Sequence, residues 1–285
     1  MSSVVVLGAG GLLGRHLSEL LRARGFEVSA LDRAACDVGD AAAVARAISL
    51  ASTVVNCAAF TNVDGAETEV DAAWRANALG AEHVGRIAAL RGVRAIHIST
   101  DFVFDGVKPT PYDELDRPNP LSVYARSKLG GEELFLRANP QGLVVRVQGL
   151  YGEGGANFAS KLHELLRAKK PLKLDAERKV QPTWAGAAAA QLARIIGSEV
   201  GSQAAGLAHL SCTGATTWAG YTRRLSEKLG LPFTCEEVPT SALVAAAARP
   251  PNCLFEHRML RLRGLFEMPT WETAQDSFLQ AVVGE

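Results

Sequence analysis

The first half of the 285-residue chain alternates short apolar runs with longer amphipathic stretches. The runs contain four to six residues and are rich in β-branched side chains. A run that is apolar at nearly every position predicts a strand covered on both faces, which is typical of a parallel sheet. Alternation with helices then predicts an α/β fold with a doubly wound parallel sheet. The five expected strands span residues 4–7, 26–31, 53–57, 95–99 and 143–147.

Helical periodicity fills the gaps between these strands and continues, less regularly, through the second half. The expected helices span residues 12–24, 40–50, 69–91, 121–138, 157–169, 185–196, 217–229, 242–248 and 271–282. Residues 172–174 predict a short strand, and residues 206–211 predict a strand that returns to the main sheet. We therefore expect a nucleotide-binding domain over residues 1–150, rejoined by segments near 180–212. Residues 151–285 would mainly form a smaller C-terminal lobe that binds substrate and closes over the carboxyl edge of the sheet.

Charge and cysteine usage narrow the class of protein. Lys and Arg number 30, as do Asp and Glu, whereas a nucleic-acid binder usually carries a basic excess. No apolar run reaches about 18 residues, and the N-terminus lacks a basic region before its first strand, so neither a membrane span nor a signal peptide is predicted. The five cysteines are widely spaced without a CxxC pair, which favours free thiols in a reducing cytoplasm over disulfides or a bound metal.

A glycine-rich turn joins the first expected strand to the first expected helix. Gly8, Gly11 and Gly14 form a GxxGxxG pattern, because Leu13 occupies the last glycine position of GxGxxG. Glycines at these positions allow a tight turn, close approach of the backbone to a phosphate, and packing of the helix on the strand. The helix N-terminus adds free N–H groups and a positive dipole end. The turn therefore predicts a dinucleotide pyrophosphate site of the Rossmann type.

The second strand ends in two residues that bear on the choice of dinucleotide. Asp32 lies 18 residues beyond Gly14, where a carboxylate can accept both hydroxyls of the adenosine ribose of NAD. The adjacent Arg33 can instead bind the 2′-phosphate of NADP, so the preference between NADH and NADPH stays open. Asp37 and Val38 follow at a distance that reaches the adenine edge, although Asp37 is equally suited to a turn or a helix cap.

A tyrosine and a lysine stand four residues apart in the expected helix 121–138. Tyr124 and Lys128 therefore share one helix face. An ammonium beside a phenol lowers its pKa from about 10 and brings it closer to the working pH of an acid–base catalyst. Thr100 ends the fourth strand, 24 residues earlier, where its hydroxyl can hydrogen-bond the carbonyl oxygen of a substrate. Turn, hydroxyl and Tyr–Lys pair in this order predict a carbonyl reductase site.

Several sequence stretches match a known family. They are residues 8–17, 55–64 (VNCAAFTNVD), 99–106 (STDFVFDG), 118–129 (PNPLSVYARSKL) and 151–158 (YGEGGANF), with weaker matches at 181–183 and 249–252. On these stretches the chain resembles the extended short-chain dehydrogenases/reductases. Among them, it is most similar to the dTDP-4-dehydrorhamnose reductases. The resemblance covers nearly the whole chain.

The resemblance implies a reaction and assigns roles. NADPH or NADH would reduce the C4 ketone of dTDP-4-dehydro-L-rhamnose, a nucleotide-sugar substrate. Tyr124 would donate the proton, Lys128 would bind the nicotinamide ribose and tune Tyr124, Thr100 would orient the keto oxygen, and Asp101 would lie close to the sugar. The remaining cofactor contacts would come from Gly11, Leu12 and Leu13 at the pyrophosphate, from Asp32, Asp37 and Val38 at the adenosine, and from Ala59, Phe60 and Thr61 after the third strand.

Three further positions leave alternatives open. Gly149 stands where the family usually has a tryptophan that packs on the substrate, and Trp184 is a candidate replacement. Asn77 is either a support for Lys128 through water or a partner of backbone groups. Asn157, at the start of a helix, can meet a phosphate or base of the substrate.

The alternatives extend to function and assembly. One is a reductase of another 4-keto sugar nucleotide. The other is a non-catalytic, NADP-binding regulatory subunit like the β subunit of methionine adenosyltransferase. We expect a monomer or a homodimer.

Overall fold

Residues 3–153, 157–243 and 245–283 are described by a computed structural model of the chain, without the side chains of Phe158, Ala159 and Val283. The strands are β1 (Ser3–Leu7), β2 (Glu27–Leu31), β3 (Thr53–Asn56), β4 (Arg94–Thr100), β5 (Leu143–Val147), β6 (Leu150–Tyr151), β7 (Leu172–Asp175), β8 (Thr183–Trp184), β9 (Gly206–Leu210) and β10 (Cys235–Val238). The helices are α1 (Leu12–Ala23), α2 (Ala41–Ala47), α3 (Val70–Trp74), α4 (Gly80–Arg91), α5 (Val123–Ala138), α6 (Phe158–Arg167), α7 (Ala185–Gly197), α8 (Glu199–Ser202), α9 (Trp218–Leu229), α10 (Arg258–Leu262) and α11 (Trp271–Val283).

Six strands form one parallel sheet in the order β2-β1-β3-β4-β5-β9. The five strands predicted from the first half of the sequence are confirmed, and so is the doubly wound α/β class. The chain order reverses direction between β1 and β3, where ligands bind in folds of this type. The pairs β7–β10 and β6–β8 form two small parallel ribbons after the main sheet.

Both faces of the sheet are covered, and β1 shows how its residues divide between them. Val4 and Val6 belong to a core that includes Leu17 from α1, whereas Val5 and Leu7 belong to a second core on the other face. All four side chains are buried. Successive side chains of a strand point to opposite faces, so a continuous apolar run can serve two cores at once. Among the described residues, no helix is long and apolar enough to cross a membrane.

The predicted helix over residues 242–248 is wrong for the residues that the structure describes. Thr240–Ala242 forms a single 3-10 turn, residues 245–248 are not helical, and Val244 lies outside the described residues. The backbone N–H of Ala247 donates to the Asp64 carboxylate at 2.9 Å, and Arg249 forms an ion pair with the same carboxylate. This tether to the loop after β3 offers the segment a tertiary partner in place of helical hydrogen bonds.

Helix α5 is anchored to the sheet by a buried ion pair. Glu132 accepts two hydrogen bonds from Arg146 Nε and one, at 2.6 Å, from Arg146 Nη2, while Ser99 Oγ donates to Glu132 at 2.5 Å. Arg146 lies on β5 and Ser99 on β4, so one carboxylate joins α5 to two central strands. The side chains of Glu132 and Arg146 are only 3% and 1% exposed. Since Lys128 and Tyr124 precede Glu132 by four and eight residues, the same helix face carries all three.

We expect Glu132→Gln to destabilise the protein severely. The substitution keeps the shape of the side chain but leaves the Arg146 guanidinium buried without its counter-charge, which costs about 3–5 kcal/mol. Lys173→Gln is the matched control, because it breaks the exposed pair with Glu236 and should change stability by about 0–1 kcal/mol. Urea unfolding curves of both variants measure the effect. A loss below about 1 kcal/mol for Glu132→Gln would show that the pair does not anchor α5.

Candidate active site

A cavity of about 1110 Å³ opens at the carboxyl edge of the sheet. Apart from the candidates Asn77 and Trp184, the site residues predicted from the sequence line it: Gly8, Gly11, Leu12, Leu13, Gly14, Asp32, Arg33, Asp37, Val38, Ala59, Phe60, Thr61, Thr100, Asp101, Tyr124, Lys128 and Asn157. These residues come from the ends of β1, β2, β3 and β4, from the loops that follow them, and from the starts of α1, α5 and α6. Because the strands are parallel, their carboxyl ends meet at one edge, and residues far apart in sequence converge there.

The glycine turn after β1 has no room for side chains. Gly8 has a φ of +75°, and a Cβ there would lie 2.5 Å from the backbone nitrogen of Ala58. A Cβ on Gly14 would lie 2.4 Å from the Gly8 carbonyl oxygen. Helix α1 begins after Gly11 without a side-chain cap, so the N–H groups of its first turn are available to a bound anion. The turn has the shape and the donors that a pyrophosphate requires.

The loop after β2 forms the wall where the adenosine is expected. The Asp32 carboxylate accepts a hydrogen bond from Ala35 N at 2.9 Å. Asp37 accepts from Gly39 N and pairs with Arg75 at 3.0 Å, and these two contacts lower the pKa of the Asp37 carboxyl, the backbone bond being the larger cause. Asp37 thus stabilises a turn and also lines the cavity, and its contact with the adenosine stays a prediction.

Asn77 holds the loop after β3 against α5. It lies in a π-helical turn (Arg75–Leu79) that joins α3 to α4. Its side chain accepts from Phe60 N at 2.8 Å and donates to Phe60 O and to Ser127 Oγ. The backbone-binding alternative therefore describes Asn77 in this structure. Phe60 lines the cavity and Ser127 precedes Lys128, so Asn77 links the predicted cofactor wall to the Tyr–Lys helix.

Thr100, Tyr124 and Lys128 all line the cavity, and the side chains of Thr100 and Tyr124 are hydrogen-bonded. Burial raises the pKa of the Tyr124 phenol to about 12, and hydrogen bonding to the Thr100 side chain only partly opposes this effect. The Lys128 ammonium donates to the Ile98 carbonyl at 2.6 Å, and burial lowers the pKa of this lysine to about 8. Lys128 is not among the groups that shift the Tyr124 pKa in this structure, so its tuning of Tyr124 stays a prediction. At neutral pH the phenol is protonated.

Asp101 begins a buried polar network that leads from the end of β4 to residues after β7. Gln148 Nε2 donates to the Asp101 carboxylate at 3.0 Å, and Gln148 Oε1 accepts from Gln181 N at 2.8 Å. Ser211 Oγ lies 2.9 Å from Gln181 Oε1 and 2.8 Å from His257 Nε2. The hydrogen of Ser211 goes to Gln181, so His257 must donate to Ser211 through Nε2. Burial lowers the pKa of His257 to about 3 and keeps it neutral.

A tryptophan other than the predicted Trp184 lines the cavity. Trp184 is not one of the described residues that line the cavity. Its indole N–H donates to Glu153 at 3.1 Å. Trp218, at the start of α9, lines the cavity instead. Gly149 has a φ of +56°, a conformation that a tryptophan adopts only with strain. Asn157 caps α6 by accepting from Ser160 N and also lines the cavity.

Sequence reasoning missed several cavity residues. Gln148 directly follows β5 at the carboxyl edge, so the rule that identified Thr100 would have identified it too. Arg75 lies within a helix, and Arg178 and Lys179 lie between β7 and β8. No local pattern distinguishes these three cations from solvated surface residues.

Comparison with known proteins agrees with the fold. A family model described as the RmlD substrate binding domain matches residues 1–283. The dTDP-4-dehydrorhamnose reductase of Streptomyces griseus is 34% identical over 285 residues, covering 98% of this chain and 94% of the relative. The dTDP-4-keto-6-deoxy-D-glucose reductase of Streptomyces niveus is 34% identical over 274 residues, with 95% and 94% covered. The crystal structure of dTDP-4-dehydrorhamnose reductase from Bacillus anthracis in complex with NADP has a TM-score of 0.93 and 31% identity, covering 98% of this chain and 99% of that chain.

The sheet, the glycine turn and these relatives identify a Rossmann-type oxidoreductase. The resemblance inferred from the motifs is confirmed. Within this class, the chain belongs to the family of the RmlD substrate binding domain, whose model matches nearly its full length.

Gly8→Ala should destabilise the protein more than Gly25→Ala. Both glycines have a left-handed backbone, with φ of +75° and +81°, so alanine costs about 1–2 kcal/mol at either site. A Cβ at position 25 meets nothing within 4 Å, whereas one at position 8 collides with Ala58. We expect about 1–3 kcal/mol of additional loss for Gly8→Ala, measured by urea unfolding. Equal losses in the two variants would contradict the packing role of Gly8.

Asp101 should make stability depend on pH. Burial raises the pKa of its carboxyl from 3.8 to about 6, so the folded state holds a proton that the unfolded state has already lost. The stabilisation that this proton gives the folded state is fully present below pH ~4 and is lost as the pH rises to ~6. At about 1.4 kcal/mol per pH unit, the unfolding free energy of the wild type minus that of Asp101→Asn should fall by about 3 kcal/mol across this window. Unfolding curves at several pH values test this; a flat difference would refute it.

Proposed function

We propose that this chain uses NADPH or NADH to reduce the C4 ketone of dTDP-4-dehydro-L-rhamnose, giving dTDP-L-rhamnose. The observation that carries the proposal is the convergence of Thr100, Tyr124 and Lys128 in the cavity that the glycine turn opens. The curated relative from Streptomyces griseus, 34% identical along nearly the whole chain, supports the same reaction.

The residues present fit a dinucleotide. Gly8 and Gly14 allow a tight turn on which α1 packs closely, and the first turn of α1 presents uncapped N–H groups. A bound NADPH or NADH would supply the hydride. Gly11, Leu12 and Leu13 would hold its pyrophosphate, and Asp32 and the residues near it would hold its adenosine. The relative from Bacillus anthracis is a complex with NADP, which supports this assignment.

The protein's own contribution is to position the ketone and supply a proton. In the proposed reaction, the Thr100 hydroxyl turns its hydrogen from the Asp101 carboxylate to the keto oxygen. The Tyr124 O–H transfers its proton to the same oxygen as negative charge develops there. Because burial keeps the phenol protonated at neutral pH, Tyr124 holds the proton that a reduction needs. Lys128 lies one helical turn away and supplies positive charge that stabilises the phenolate left behind.

A reductase of another 4-keto sugar nucleotide is the second candidate. Gly149 and Trp218 change the shape of the substrate wall relative to the tryptophan expected at position 149. The Streptomyces niveus relative is named for a different 4-keto sugar nucleotide at the same 34% identity. The substrate is therefore tested directly: oxidation of NADPH and NADH is followed at 340 nm with dTDP-4-dehydro-L-rhamnose and then with dTDP-4-keto-6-deoxy-D-glucose.

Two results would distinguish the candidates from a regulatory role. Faster turnover of one ketone identifies the substrate and ranks the two cofactors. Cofactor binding with no oxidation of either ketone would contradict the proposed reduction and favour an NADP-binding regulatory subunit.

Tyr124→Phe should retain cofactor binding but lose turnover. The variant removes only the phenolic O–H, so the loss of general acid catalysis should lower kcat on the order of 10²–10⁴-fold. Tyr112→Phe is the control, because the Tyr112 hydroxyl donates to Asp105 and that tyrosine does not line the cavity. The 340 nm assay gives kcat, and quenching of tryptophan fluorescence gives the Kd of NADPH. A kcat within about threefold of the wild type would reject Tyr124 as the proton donor.

A further inference from the structure

One carboxylate from the loop after β3 holds the first turn of α5. Glu67 Oε1 accepts a hydrogen bond from Val123 N at 2.8 Å, although the two residues lie 56 positions apart in the chain. Val123 is the first residue of α5 and directly precedes Tyr124. Glu67 is not one of the described residues that line the cavity, so any effect of Glu67 on the reaction must pass through another residue.

The N–H group of Val123 needs a partner from outside α5. The first N–H groups of a helix have no intrahelical acceptor, because no turn precedes them. The Ser122 hydroxyl satisfies one of these groups by accepting from Ala125 N at 3.2 Å. Glu67 satisfies another, and its negative charge both strengthens the hydrogen bond and interacts favourably with the helix dipole.

The rest of α5 is anchored further along the helix. Lys128 donates to the Ile98 carbonyl at 2.6 Å, and Glu132 pairs with Arg146. These contacts lie one and two turns after Tyr124, so they fix the body of the helix more directly than its first turn. Helix ends open more readily than helix interiors. The place of Tyr124 therefore depends on the contacts at the helix start.

Glu67 is itself held in a well-tied loop. It ends a single 3-10 turn (Gly65–Glu67), whose middle residue is fully buried. Asp64, just before this turn, forms an ion pair with Arg249. Residues 59–61, which begin the same loop, line the cavity where the dinucleotide is expected. One loop thus joins the expected cofactor wall to the start of the helix that carries the tyrosine.

We propose that Glu67 is a positioning residue, which sets the place of the Tyr124 hydroxyl relative to the bound dinucleotide by accepting from Val123 N. This inference rests on the proposed function, because Tyr124 is the proton donor of that reaction. Without this hydrogen bond the first turn of α5 opens more often, and the phenol spends less time where it can reach the keto oxygen. A misplacement of about 1 Å can lower a rate on the order of 100-fold.

Glu67→Ala should lower kcat by about 10–100-fold in the 340 nm assay and leave the Kd of NADPH unchanged, because it removes an acceptor but no group that lines the cavity. Glu67→Gln keeps an acceptor oxygen at the same place, so its kcat should stay within about threefold of the wild type. Thr270→Ala is the matched control. It removes the hydroxyl that accepts from Thr273 N at the start of α11, outside the cavity, and should lower the melting temperature without lowering kcat.

A spectroscopic measurement reports on Tyr124 without turnover. The chain has four tyrosines, so fluorine NMR of protein labelled with fluorotyrosine gives four signals, and Tyr124→Phe identifies the signal of Tyr124. With NADP⁺ bound, Glu67→Ala should shift or broaden this signal and leave the other three unchanged. Glu67→Gln should restore it.

Several results would overturn the proposal. They are an unchanged Tyr124 signal in Glu67→Ala, equal changes in all four signals, and failure of glutamine to restore the signal. In an active enzyme, a kcat of Glu67→Ala within about threefold of the wild type would overturn it as well. If the wild type reduces neither ketone, the proposed reduction fails, whereas the NMR comparison still decides whether Glu67 positions Tyr124.

Discussion

The buried bridge between Glu132 and Arg146 is the interaction on which the site depends. Helix α5 carries Tyr124 and Lys128, and a helix can slide or rotate on a sheet unless a specific contact fixes it. Glu132 supplies that contact, because its carboxylate bonds β5 through Arg146 and β4 through Ser99. An ion pair at this depth stabilises little in net terms, since both charges lose their hydration. Its value lies in orientation, because any other register would leave both charges unpaired.

A second set of buried polar contacts connects the carboxyl edge of the sheet to the second half of the chain. Asp101, Gln148 and Gln181 join the ends of β4 and β5 to the segment before β8, and Ser211 and His257 extend the network to the far part of the chain. Each hydrogen bond in a buried network depends on its neighbours, so such networks specify one arrangement. The segment before β8 is thereby tied to the end of β4, next to Thr100.

The residues that sequence reasoning placed in the site share a simple feature: they follow strands or share a helix face. Thr100 and Asp32 follow strands of a parallel sheet, so their convergence could be predicted. The prediction that Trp184 lines the cavity and the prediction of a helix over residues 242–248 were wrong. In both cases, contacts between residues distant in sequence determine where the side chain or segment lies. The indole of Trp184 binds Glu153, and Ala247 is held by Asp64, which lies 183 residues earlier in the chain. Pairings over such separations leave no local pattern in the sequence.

The sequence by itself determined the order of strands and helices, the glycine turn and the Tyr–Lys spacing, because each rests on local periodicity and on backbone geometry within a few residues. Only the tertiary structure decided the electrostatics of the site. Burial keeps the Tyr124 phenol protonated and the His257 imidazole neutral, and burial is a property of the packed chain. The tertiary structure also determines that Trp218 lines the cavity and Trp184 does not, since the later segments meet the sheet through contacts between residues distant in sequence.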